Sequence, residues 1–224
     1  MSHATRIEIP GMYHLVERRL CRGRPAPMGF HDRQLSLAAL HGSIYKYGIQ
    51  LCAYNMLSDR VLLALIPSRP RAISLALLNA DQAFVRRFDQ IHREVMARWR
   101  RPFHCCPFDD EVAWSVMRYV DIAPVRSRHA NPLDLHALSS AAEHAGLLRH
   151  GLLTAPPERL PHPAAWRAFI ESPGDARFVE ALELCLRTGM PFGPYPFVYR
   201  VEQACGRRLH PACLKWPGLF DARR

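Results

Sequence analysis

The sequence has no run approaching the roughly 18 consecutive apolar residues of a membrane span, and its start, MSHATRIEIPGMYH, has no apolar h-region before a cleavage site. No spanning helix or secretory leader is expected, and the default location is cytoplasmic. It also lacks any CxxC pair. The seven cysteines (Cys21, Cys52, Cys105, Cys106, Cys185, Cys205, Cys213) are odd in number and dispersed, which argues against a disulfide framework. Cys205, His210 and Cys213 offer three of the four ligands of a structural zinc, and His104-Cys105-Cys106 is as incomplete, so buried reduced thiols are the expectation. Acidic residues are scarce, 20 against 30 basic, for a net charge of +10 and a pI near 9.7. That imbalance favours a polyanionic partner, while the dominance of arginine also fits a GC-rich genome. It is uneven: residues 1–130 hold 19 basic and 11 acidic residues, net +8, and residues 131–224 hold 11 and 9, net +2.

What is present is enough for a sizeable core, with 224 residues of which 49% are hydrophobic, as one domain of average size plus a smaller one. Residues 12–18 alternate as a first strand, and a loop rich in Arg, Gly and Pro runs on to Gly29. Leu35, Leu37, Leu40, Ile44 and Tyr45 recur near helical spacing over residues 31–47, with Asp32 suited to the first turn and Gly48 to the end. Residues 49–55 and 61–66 read as two strands joined by a short polar turn. After the break at residues 67–70, a helix over 71–92 carries Ile73, Leu77, Phe84 and Phe88 on one side. A short strand within 99–108 and a helix from Asp109-Asp110-Glu111 to Ile122 follow.

This order predicts a ferredoxin-like α+β fold over residues 1–130, an antiparallel sheet with helices on one face. Residues 131–162 read as a connecting segment and 163–224 as a C-terminal helical region, with helices near 166–171, 175–187 and 194–205. The tight Gly/Pro turn between the last two permits either a helix-turn-helix or an ordinary helical hairpin packed on the first domain.

The stretch at residues 53–67, AYNMLSDRVLLALIP, organises the rest. On a strand, Arg60 and Leu62 project to the same face, the geometry a pair of metal-binding histidines needs. Ala53, Tyr54, Ser58, Asp59, Val61 and Leu63 match the frame Ala-Tyr-x-x-Met-Ser-Asp/Asn-His-Val-His-Leu, and in this the chain resembles the REP-associated tyrosine transposases, single-tyrosine HUH enzymes. Both histidine positions are replaced. Other segments carry the same resemblance: Arg6-Ile7 with Pro10-Gly11 before Tyr13-His14, Trp99 with Phe103, Cys106-Pro107 and Asp109-Asp110, MRYVDIAPVRS at residues 117–127, and RTGMPFGPYPFVYRVEQACGRRL near the C-terminus. Pro102 stands where that form has arginine, and the basic Gly-Arg-Pro tail is absent.

The resemblance implies that Tyr119 occupies the position of the nucleophile that attacks a DNA phosphodiester; the plainer alternative is a buried aromatic beside Val116 and Val120. A phenol with a pKa near 10 needs help at neutral pH, which in the family comes from a magnesium or manganese ion. The three positions that would hold the ion are Arg60, Leu62 and Ala123. Guanidinium has no acceptor, and leucine and alanine have no side-chain donor atom, so no metal site and no cofactor are expected here. Arg60 is then free to meet a phosphate directly, or to pair with Asp59, Asp121 or another carboxylate.

The expected function is binding of hairpin or single-stranded DNA without metal-dependent cleavage, by a monomer or homodimer, through Arg60, Arg86, Arg87, Arg98, Trp99, Arg100, Arg101 and Arg126. An active strand transferase using Tyr119, and a protein-interaction module that kept only the fold, are the alternatives.

Overall fold

The computed structural model describes residues 6–20, 28–92, 99, 103–126, 138–147, 152–154 and 162–209. Four strands, β1 (Tyr13–Arg19), β2 (Gln50–Met56), β3 (Arg60–Ile66) and β4 (His104–Phe108), form one antiparallel sheet in the order β2-β3-β1-β4. With α1 (Phe30–Lys46) and α2 (Ala72–His92) as its crossovers, this is the ferredoxin-like α+β arrangement expected from the sequence. Strand alternation sends Val16, Leu63, Leu65 and Cys105 to one face and Leu15, Leu62, Ala64 and Cys106 to the other. A register irregularity between Leu51 and Ala53 places Cys52 and Ala53 together on that second face.

The first face packs against Leu37, Leu40 and Ile44 of α1 and Ile73, Leu77 and Phe84 of α2. The second face is also covered. Helix α3 (Ala113–Asp121) lies on it with Val116, Met117, Tyr119 and Val120, and so do α6 (Pro163–Glu171) through Trp166 and Ile170 and α7 (Ala176–Thr188) through Leu182, Cys185 and Leu186. The physical signal for this second layer was the unbroken apolar run of β3, since a sheet wetted on one side alternates apolar with polar residues. Residues 163–188 thus share a core with the sheet.

Helix α3 is preceded by a 3₁₀ turn (Asp110–Val112) whose first N–H groups are met by Asp109, which accepts from the Glu111 N–H at 2.9 Å. Pro124 does not end the helical path: the chain re-enters helix as α4 (Ala123–Arg126), where proline is tolerated in a first turn. Within the connecting segment, α5 (Ala141–His144) is a single turn.

Helix α7 ends at Gly189, whose φ of 72° suits glycine. The turn into α8 (Tyr195–Cys205) is sewn to the sheet edge: the Phe192 N–H donates to the Pro107 carbonyl at 2.9 Å, and the Phe192 carbonyl accepts from the Asp109 N–H at 3.0 Å. Phe197 and Val201 of α8 pack on Ile7 and Ile9. Both helices are therefore docked on the sheet domain, α7 in the core of its second face and α8 on Ile7 and Ile9. Gly193 makes the close approach possible, because a Cβ there would stand 2.6 Å from Phe197 Cδ1 and 2.8 Å from Asp109 Cβ. Gly193→Ala is expected to cost about 1–3 kcal/mol by overpacking, read as a lower midpoint in urea at unchanged slope.

Candidate functional site

On the second face, Glu17, Leu62 and Asn55 stand side by side across β1, β3 and β2, set by the registers Glu17↔Leu62 and Asn55↔Leu62. Helix α3 lies over this row, held by Asn55, whose Nδ2 donates to the Val120 carbonyl at 3.1 Å. Leu62, Tyr119 and Ala123 fall in one hydrophobic cluster, exposed by 0%, 4% and 0%. The fold thus buries three of the four positions singled out in the sequence in one apolar cluster. The Tyr119 hydroxyl donates to Glu183 Oε1 on α7 at 3.3 Å, and Glu183 in turn faces Arg187 at 3.9 Å.

Arg60, the fourth position, is at the outer end of β3. Its guanidinium is 3.6 Å from Glu17 Oε1 and 4.0 Å from Asp59 Oδ1, both charge contacts longer than hydrogen bonds. The carboxylate that meets Arg60 is therefore chiefly Glu17, and Asp121 is engaged elsewhere. Arg19, directly across from Arg60, donates to the same Glu17 oxygen at 2.9 Å. That hydrogen bond is the main reason its pKa is raised further, and Asp59 and Tyr119 lie close enough to contribute. Glu17, Arg19 and Glu183 had not been singled out in the sequence. The alternation that puts Glu17 on the same face as Leu15 was a usable signal, whereas no local pattern links Glu183 to Tyr119.

Asp121, two residues after Tyr119, is buried and accepts from Ser140 Oγ at 2.6 Å and from His144 Nδ1 at 2.7 Å, while His144 Nε2 meets the Cys52 carbonyl at 2.9 Å. Both ring nitrogens face acceptors only, so both carry protons and the ring is an imidazolium. Burial alone would push its pKa down, but the Asp121 charge and hydrogen bond, with the Cys52 carbonyl, outweigh burial and raise it above the ordinary 6.5. Trp166 packs edge-on against the ring at 5.1 Å. This network fastens the end of α3 to β2 and α5.

The other cationic and aromatic candidates distribute as follows. Helix α2 runs back along the sheet and meets β1 through a bidentate pair, Arg18 with Asp81 at 2.6 and 2.7 Å. Its later turns, with exposed Arg86 and Arg87, therefore lie toward the sheet end that carries Arg19 and Arg60, on the opposite face. Trp99 corrects the expectation of a surface stacking platform: it is 8% exposed, bridges to Leu20, and has the Arg18 guanidinium 5.2 Å from its ring centroid. Its bulk serves the first core instead. Arg98, Arg100 and Arg101 lie outside the described residues, as does the side chain of Arg126.

Arg60, Leu62 and Ala123 offer no ligand atom, and among the described residues no group of three or more His, Cys, Asp or Glu is placed to hold an ion. Cys52, Cys105, Cys106 and Cys185 are buried, and burial pushes the Cys52 thiol up to about 12 and raises those of Cys105 and Cys106 as well. His210 and Cys213, the suggested partners of Cys205, lie outside the described residues. Among the described residues no helix is long and apolar enough to cross a membrane.

The sequence matches no protein-family model and no curated protein. In fold it is similar to a solved structure of a REP-associated tyrosine transposase bound to a REP hairpin, with a TM-score of 0.56 and 16% identity, covering 70% of this chain and 93% of the other. At that identity the likeness is one of fold.

Proposed function

We propose that this chain is a DNA-binding relative of the REP-associated tyrosine transposases that holds hairpin or single-stranded DNA and does not cut it by a metal-dependent route. The observation that carries the reading is the apolar packing of Leu62 and Ala123 around Tyr119, where the family places metal ligands. Neither side chain offers a divalent ion an oxygen or nitrogen, so the family's metal-assisted activation of the phosphate lacks its ligands at these positions. The net charge of +10, its concentration in residues 1–130, and a fold shared with a protein that holds a REP hairpin support retained binding. Of the arginines proposed to meet the DNA, Arg60, Arg86 and Arg87 are among the described residues.

The test is fluorescence anisotropy with a labelled hairpin oligonucleotide in EDTA. Binding is expected without any metal, and Arg86→Gln/Arg87→Gln is expected to weaken it for all sequences alike, because phosphate contacts carry no base information. No binding at low salt would reject the reading.

A second reading is favoured by one contact. The Tyr119 to Glu183 hydrogen bond places a carboxylate where it can accept the phenolic proton, the start of a metal-free strand transfer. It predicts a covalent protein–DNA adduct that Tyr119→Phe abolishes.

A further inference from the structure

We propose that Arg19 and Arg60 together grip one phosphate of the bound DNA strand, with Glu17 as the internal carboxylate that keeps the two guanidinium groups side by side until the phosphate arrives. The inference rests on the DNA-binding reading above and adds a specific, metal-independent site to it. Arg19 and Arg60 are direct cross-strand partners. Like charges in that position repel, and the fold tolerates them by setting a carboxylate between them.

Glu17 suits that task and no surface task. It is 3% exposed, so its charge must be matched from inside, and it is met by Arg19 at 2.9 Å and Arg60 at 3.6 Å. Both side chains keep contact with solvent, 47% exposed for Arg19 and 21% for Arg60. Two such forks on one edge match the paired oxygens of a phosphodiester. Alternation from Glu17 and Leu62 puts Arg19 and Arg60 on the sheet face that α3 covers, so the phosphate lies on the tyrosine side of the sheet.

Asp59 sets the strength. Its carboxylate, 66% exposed and 4.0 Å from Arg60, balances the local charge and competes with an incoming phosphate. Removing that charge should therefore strengthen binding, an outcome that a purely structural ion pair does not produce.

The experiment measures the full chain against a labelled hairpin oligonucleotide in EDTA over a range of salt. Arg19→Gln and Arg60→Gln are each expected to raise Kd roughly tenfold and to lower the slope of log K against log salt by about one, and Asp59→Asn to tighten binding. A single neutral methylphosphonate linkage, scanned along the strand, should at one position cost the wild type more than either single substitution does, and should cost Arg60→Gln less than it costs the wild type. Folded Arg19→Gln and Arg60→Gln proteins that bind with wild-type affinity and slope would overturn the site while leaving DNA binding intact. If either glutamine variant fails to fold, Asp59→Asn and the linkage scan in the wild type decide, and no change in both overturns it. A wild type that binds at no salt concentration removes the DNA reading and this site with it.

Discussion

His144→Ala is expected to lose about 3–5 kcal/mol of stability, because it leaves the buried Asp121 carboxylate without its counter-charge. For a chain of this size that is a fall in Tm of about 6–20 °C. The pair also fixes a pH dependence. The folded pKa of His144 lies above its ordinary 6.5, so the fold binds a proton that the unfolded chain releases first. Its contribution is complete below about pH 6.5 and disappears as the pH rises through the folded value. Urea titrations across that range should show wild-type stability declining on the alkaline side, with the decline absent in His144→Gln. His14 works in the opposite sense. It is buried and neutral, donating to the Met12 carbonyl and accepting from the Ile9 N–H, and burial lowers its pKa to about 4. Its contribution is present above 6.5 and lost as the pH falls towards 4, so the two histidines bound a stability maximum near pH 6.5 from either side.

DNA affinity is expected to fall steeply with salt. If Arg19 and Arg60 share one phosphate and Arg86 and Arg87 neutralise one each, the slope of log K against log salt is about −2.1 for a single strand and −2.7 for a duplex stem. Raising salt from about 50 to 200 mM then weakens binding roughly 20- to 40-fold. Arginines 98, 100, 101 and 126 would steepen this further. A slope near zero would mean that the basic surface does not meet the backbone at all, and would favour a protein partner.

Much of the fold was legible from the sequence because its signals are local. The alternation over β1, the helical spacing of Leu37, Leu40 and Ile44, and the apolar run of β3 each specify an element within a few residues, and the order of elements then limits the topology. The apolar run of β3 signals that the second face is covered, but which helices cover it was hidden, since Trp166 and Leu182 join the cluster of Leu62 from about a hundred residues away and leave no periodic trace. The candidate site divides in the same way. That Leu62 and Ala123 cannot bind an ion follows from side-chain chemistry alone. That Arg60 leans on Glu17 rather than Asp121 depends on strand register and on Ser140 and His144 having taken Asp121. Trp99 misled because an aromatic within an arginine run looks like a stacking surface, and only the antiparallel bridge to Leu20 turns it inward.

The packing of Leu62 and Ala123 against Tyr119 makes the division of binding from cleavage the point on which the account stands. The direct measurement is to incubate the protein with labelled hairpin and single-stranded DNA in magnesium, in manganese and in EDTA, and to run each mixture on native and denaturing gels. The account predicts a retarded complex of equal strength in all three on the native gel and no covalent adduct on the denaturing gel. A metal-dependent adduct that disappears in Tyr119→Phe would contradict it.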